Sequence, residues 1–463
     1  MLISFPVKSA LKIIILYFGL LFILGFCMFL GIGQYGHRFS YSFWYVGIPI
    51  ILFFSFASWQ AWNIYPDLPF KQKLFYLFTT ITILLLPLGD LFIIIFIPAL
   101  ILYFFIVSPK KLLTDDKISL IWLLFIFVAL IGSFFAEYSK ASAFAMLIAL
   151  LGYGFLFNIG RSIDFPKEYT EFYTTIFCGI VPITICFGIF HLFLGRNLFL
   201  LGIFIPSHGS PGLASLLSEW PANVAGFLVI AFVIVFGLFL NASNNKQPFK
   251  SIIFSIVLLI IFIGLLLTEN RGVFLFFIGM GLLFLIFYPW QVFRKIRFFI
   301  LLIPFLLMPL LTQYSDKWKD TLENPLQQYT IADRINQIQF GFSLLKDKVL
   351  WHGIGLFNFR FAYKYYLEKS KSKLPEVEFL HNVYLSVLVE TGILGFILFM
   401  IALLYLFTQY AKYRHQLPAY TAMLFLGGLA FYNITDNWLY ILKFSILLFL
   451  FLGYCYPNIH KEK

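Results

Sequence analysis

Five residues in three well-separated segments are of types that handle an anionic group or a proton. Glu269 and Arg271 stand in LTENRG, Leu267–Gly272, between two long apolar runs. Arg334 stands in IADRINQIQ, and His381 and Asn382 open FLHNVYLSVLVETGILG, Phe379–Gly395. A guanidinium presents a planar fork of donors that matches phosphate oxygens two at a time. An imidazole is the side chain best suited to taking a proton near neutral pH. Each segment also has a plainer explanation. Glu269 and Arg271 suit an anchored interfacial turn, where a long side chain snorkels at little cost. Arg334 suits a solvated charge on a surface helix, and a single His at the edge of an apolar run is usually structural. Asn382 suits a helix cap. Glu390, further along the same apolar helix, falls where a charge needs a partner.

Metal chemistry has no comparable signature. There is no HExxH, CxxC or Walker loop, and no acidic cluster spaced to hold an ion. Asp90 and Asp436 fall at turns on the same side but far apart in sequence, which does not make an aspartate–metal site. No cofactor is expected. Cys27, Cys178, Cys186 and Cys455 all lie inside apolar runs and read as small hydrophobes.

The elements that must position these residues are membrane spans. The chain of 463 residues is 61% hydrophobic and only 12% charged, too few charges to clothe a soluble protein of this size. Apolar runs long enough to cross about 30 Å of hydrocarbon recur throughout. Fourteen candidates lie near 11–32, 43–62, 74–88, 91–107, 118–135, 141–159, 172–194, 222–240, 252–267, 272–288, 298–312, 388–408, 419–434 and 438–456. The pair at 74–107 also suits a re-entrant hairpin, which leaves twelve. The first run, with Lys8 and Lys12 before it, is too long for a signal segment and reads as a span.

Lysines and arginines in the short loops orient the spans. One set of loops carries eighteen and the alternate set four, Arg38, Lys140, Arg196 and Arg271. The richer side is cytoplasmic by the positive-inside rule. Both termini are therefore expected there, and Arg271 on the opposite face. This asymmetry accounts for the net charge of +12 without any nucleic-acid partner. Residues 1–311 and 388–463 read as transmembrane regions. Residues 312–387 read as one large outer loop, with ten Lys or Arg. A second outer loop runs from about 195 to 221. Within the large loop, Ile331, Ile335, Ile338, Phe342 and Leu345 have helical spacing, so an amphipathic helix on the membrane surface is expected. Trp351–Phe359, with two glycines, reads as a tight turn. The fold class is an all-α, polytopic helical bundle of about 12–14 spans.

Taken together, LTENRGVFLF, DRINQIQFGFSLLKDKVLWHGIGLFNF and HNVYLSVLVETGILG resemble, in order, three elements of the O-antigen ligase and O-antigen polymerase family of bacterial inner-membrane proteins. PANVAGFL, Pro221–Leu228, is similar to an earlier Asn-x-x-Ala element. The similarity covers roughly 220–395. It departs at Asn270, where Ser is usual, at Ile338, where an aromatic often follows the arginine, and at Trp351-His352, where His-Pro is common. The resemblance implies a metal-independent, inverting glycosyltransferase of the GT-C type at the periplasmic face. Its donor would be a glycan on undecaprenyl diphosphate, and its acceptor a sugar of lipid A–core or, for a polymerase, another glycan. On the same resemblance Arg271 and Arg334 hold the diphosphate, His381 is the general base, and Glu269 and Asn382 assist binding. A transporter is the alternative from another class. It would place charges mid-span around a cavity, and here Lys443 is the main exception to uncharged spans.

Overall fold

The computed structural model of the chain describes residues 5–29, 48–64, 68–85, 117–163, 166–193, 221–268, 270–287, 329–345, 349–370, 377 and 379–456. Among these residues the secondary structure is helical, with no strand. The helices are α1 Phe5–Phe29, α2 Ile48–Trp62, α3 Phe70–Leu85, α4 Lys117–Phe134, α5 Lys140–Ser162, α6 Lys167–Phe193, α7 Pro221–Asn244 and α8 Pro248–Leu267. They continue as α9 Gly272–Phe287, α10 Tyr329–Leu344, α11 Val349–His352, α12 Phe359–Ser370, α13 Val383–Lys412, α14 Leu417–Tyr432 and α15 Leu442–Cys455. Helices α4 to α8 and α13 each contain a stretch long and apolar enough to cross a membrane, and α9, α14 and most of α15 are shorter apolar helices. The chain is an all-α, multi-pass membrane protein. The expected spans at 91–107 and 298–312, the loop 195–221, Asp90 and Glu269 lie outside the described residues.

The chain folds as two compact units, residues 1–111 with 164–270 and residues 112–163 with 271–463. In the first, α6 packs against α1, α3 and α8, and α7 pairs with α8. Its buried tyrosines spend their hydroxyls within the unit, Tyr17 on Thr184 Oγ1 at 3.0 Å and Tyr173 on the Tyr76 carbonyl at 3.0 Å.

The second unit carries His381, Arg334 and Arg271. Its helices cross through small residues, the general means by which apolar helices approach closely in a bilayer. A side chain at Gly279 of α9 would meet the Gly427 carbonyl of α14 at 2.5 Å, and Gly160 of α5 and Gly453 of α15 are covered by each other's helix backbones. Helix α4 packs between α5 and α13. Over the first turns of α13 lie α10 and α12. Ile354, Phe359, Tyr363, Leu367, Leu380 and Leu385 form their shared apolar core.

Two glycines decide how this cap is attached. Gly392 interrupts α13 with φ +72° and ψ −178°. The break frees the carbonyls of Val389 and Glu390, which accept Ile354 N at 3.0 Å and Gly355 N at 3.1 Å. Gly353, at φ +73°, lies so close to the Glu390 carbonyl that any Cβ would strike it, and a Cβ at Gly392 would strike the Trp351 carbonyl. Both positions therefore require glycine, for conformation and for space.

The face that α10 buries is not the one its apolar spacing suggested. Ile338 and Leu345 do pack on the core, but Ile335 and Phe342 are exposed. Asp333, Gln337 and Gly341 are buried instead. Polar side chains can occupy that face because each finds a hydrogen-bond partner there. Gln337 Nε2 donates to Asp333 Oδ2 at 2.7 Å, and Tyr363 OH donates to Asp333 Oδ1 at 3.4 Å.

Candidate functional site

Helix α13 begins at Asn382, whose extended backbone (φ −162°, ψ 109°) ends the preceding segment. Its Oδ1 accepts Leu385 N at 2.9 Å, the side-chain cap expected of Asn at this position. Its Nδ2 donates to the Ile434 carbonyl at 3.0 Å, and Val383 N donates to the Asn433 carbonyl at 3.0 Å. These two bonds tie the start of α13 to the end of α14. They bring His381, just before one helix, against Asp436, just after the other.

His381 Nδ1 lies 3.3 Å from Asp436 Oδ1. The His381 side chain is 30% exposed and that of Asp436 4%, so one partner faces out and the other is enclosed. Asp436 also receives Tyr432 OH at 3.0 Å and Asn437 N at 2.9 Å. Burial alone would raise the Asp436 carboxyl. The His381 hydrogen bond and charge, the Arg334 guanidinium and the Asn437 N–H outweigh it, and hold the carboxyl at about 2, below its ordinary 3.8. A carboxylate ionised at any physiological pH can only accept a hydrogen bond. The ring nitrogen that faces it, Nδ1, therefore carries the proton and leaves the Nε2 lone pair for a substrate. The His381 backbone is held as well, since His381 N donates to Gln337 Oε1 at 3.3 Å. This links the imidazole's segment to α10, the helix of Arg334.

Of the five residues singled out from sequence, Arg271, Arg334, His381 and Asn382 belong to one unit. Arg334 is half-buried on α10, within electrostatic reach of both Asp436 and Tyr432. Arg271 is half-buried just before α9. Gly279 of α9 sits at Gly427 of α14, and Arg414, just before α14, lies over Phe287 at the end of α9, so the two helices run antiparallel and eight residues back along α9 from Gly279 to Arg271 match about eight forward along α14. That puts Arg271 at the same end of the helix pair as Asp436. Asn382 proves to be a cap bonded on both sides. Glu269 lies outside the described residues.

Asp436 and Gln337 were not anticipated as partners of His381, nor Tyr432 and Asp333 as the residues that hydrogen-bond those two in turn. The available signal was YNITDNW, a short polar stretch between two apolar helices, in which Asp436 is the acidic residue. Val383, two residues after His381, lines an apolar cavity of about 420 Å³ together with Asn433 and Trp438 and, farther along α13, Phe399, Ala402 and Leu406. Among the described residues no three His, Cys, Asp or Glu side chains gather where they could hold a metal ion. The arrangement offers a proton acceptor, a buried anion that orients it, one guanidinium within electrostatic reach, a second at the same end of the helix pair, and an apolar cavity close by.

Residues 254–400 match the family described as O-Antigen ligase. The match spans Arg271, Arg334, His381 and Asn382 and ends before Asp436. The similarity to that family is confined to this segment, about a third of the chain. No curated protein matches the chain.

Proposed function

We propose that this protein, as a relative of the O-antigen ligases, transfers a glycan from undecaprenyl diphosphate to a sugar of lipid A–core at the periplasmic face of the bacterial inner membrane. The observation that carries the reading is the His381–Asp436 pair, at the end of apolar helices and within electrostatic reach of Arg334. The nearby cavity supports a donor whose diphosphate is attached directly to a hydrocarbon chain.

In this mechanism the acceptor hydroxyl oxygen attacks the anomeric carbon. Its proton passes to His381 Nε2 while Nδ1–H stays on Asp436. The bond from the anomeric carbon to the diphosphate oxygen breaks, and the diphosphate leaves with the electron pair. Negative charge on the departing oxygen is greatest in the transition state, so guanidinium groups fixed beforehand at Arg334 and Arg271 stabilise it more than the ground state. They take the part that a divalent ion plays in other diphosphate chemistry. A single displacement inverts the anomeric configuration. With the outer face periplasmic, the large loop 312–387 faces the periplasm and both termini face the cytoplasm.

The same residues would serve a polymerase that elongates the glycan on its lipid carrier. Deleting the gene in the source bacterium and running its lipopolysaccharide on a gel separates the two. A ligase is expected to leave bare core with no ladder. Core carrying a single repeat indicates the polymerase. An unchanged profile overturns both.

A further inference from the structure

We propose that Glu390 is a positioning residue for the His381–Asp436 pair, acting through Tyr440. The inference rests on the reading of His381 as the proton acceptor. Glu390 is 1% exposed and lies within α13. A carboxylate at such a place is costly unless several donors satisfy it. It has three, from two different segments. Phe357 N donates to Oε2 at 2.9 Å and Phe359 N to Oε1 at 3.2 Å. The third is the Tyr440 hydroxyl, which donates to Oε2.

The first two donors belong to the turn after Gly355, and that turn has other attachments. Ile354 N and Gly355 N already bond to α13 carbonyls. Asn358 pairs with the Ser139 backbone on both sides, accepting Ser139 N at 2.6 Å and donating to its carbonyl at 3.1 Å. What Glu390 adds beyond these is the bond to Tyr440. Tyr440 ends the 3-10 turn Trp438–Tyr440, which follows directly on Asp436 and Asn437. Its ring meets Phe357 edge-on at 5.4 Å and Phe379 at 6.5 Å. Phe379 in turn packs edge-on against the His381 ring at 5.3 Å.

One buried carboxylate therefore restrains both sides of the pair. It anchors the segment that carries Asp436, and through Tyr440 and Phe379 it backs the imidazole. Phe357 is held at φ +56°, a conformation bulky residues rarely adopt, so this turn does not relax freely into place. Glu390 itself stands apart from the reacting atoms, and its effect is on their alignment.

The test uses the full-length protein in nanodiscs and reads two quantities for each variant. They are kcat for transfer, and the stoichiometry and Kd for a non-reactive polyprenyl diphosphate. Tyr440→Phe keeps the ring and both backbone bonds to Glu390 and removes only the hydroxyl. It is expected to bind one equivalent with unchanged Kd and to lose about 10-fold in kcat, by analogy with the lower range for an outer-shell partner of a metal-bound histidine. Glu390→Gln should lose at least as much. In a His381→Ala background, adding Tyr440→Phe should cost nothing more, because the group being aligned is gone. Full kcat in Tyr440→Phe overturns the proposal. So does a fall in binding stoichiometry that parallels kcat, or the same 10-fold loss in the His381→Ala background; either marks a role in folding alone. If Glu390→Gln does not fold, Tyr440→Phe decides by itself. Full activity of His381→Ala alone would instead remove the proton-transfer reading, and this inference with it.

Discussion

His381→Ala is expected to lower the transfer rate by about 10²–10⁴, the range for losing a positioned general base. Lipid-linked donor should still bind, since the imidazole acts on the acceptor's proton and not on the diphosphate. Asp436→Asn should come close to the same loss without removing the imidazole. An amide can present its NH2 to Nδ1, which moves the ring proton to Nε2 and blocks the lone pair that must take the hydroxyl proton. In a catalytic triad, the same change of carboxylate to amide costs about 10⁴. Protein levels in the membrane should match wild type for His381→Ala, because the side chain is partly exposed and removes little buried apolar area. Near-normal transfer by His381→Ala at equal expression would make His381 a helix-end residue only.

The second large effect is expected from the arginines. Arg334→Lys keeps the charge and loses the fork. A lysine offers a point charge on a flexible stem, so it cannot hold two diphosphate oxygens in a fixed geometry. The loss should be about 10²–10³ in rate, by analogy with deleting one donor that stabilises a developing oxyanion. Arg271→Lys should behave alike. Arg334→Lys carries an added diagnostic. Arg334 contributes to holding Asp436 ionised, and a lysine preserves much of that charge effect. A rate loss in Arg334→Lys is thus assigned to diphosphate recognition and not to the His381–Asp436 pair. Full activity in both lysine variants would remove the shared diphosphate site.

The sequence makes some of this architecture legible and hides the rest for identifiable reasons. The start of α13 is readable because an Asn cap acts locally, on a backbone N–H three residues away. The turn at Gly353–Phe359 is readable from its glycines. Their purpose is not, because Gly353 is required by a carbonyl in another element, that of Glu390. The break at Gly392 is invisible in an apolar run whose composition suits an unbroken span. Asp436 stands fifty-five residues from His381, and only the packing of α13 beside α14 joins them. Periodicity misassigned part of α10 because it ranks residues by hydropathy alone. Asp333 and Gln337 are buried by mutual hydrogen bonding and by Tyr363, which a hydropathy pattern cannot register. The family match ends at residue 400, so it too stops short of the carboxylate that orients the histidine.

The anomeric configuration of the product, formed in EDTA by purified protein in nanodiscs from a defined lipid-diphosphate-linked glycan and acceptor, tests the central claim most directly. A direct displacement assisted by His381, with arginines in place of a metal, predicts that product forms at full rate in EDTA and that its new glycosidic linkage is inverted relative to the donor. No product until Mg²⁺ or Mn²⁺ is restored, or a linkage that retains the donor's configuration, would contradict it.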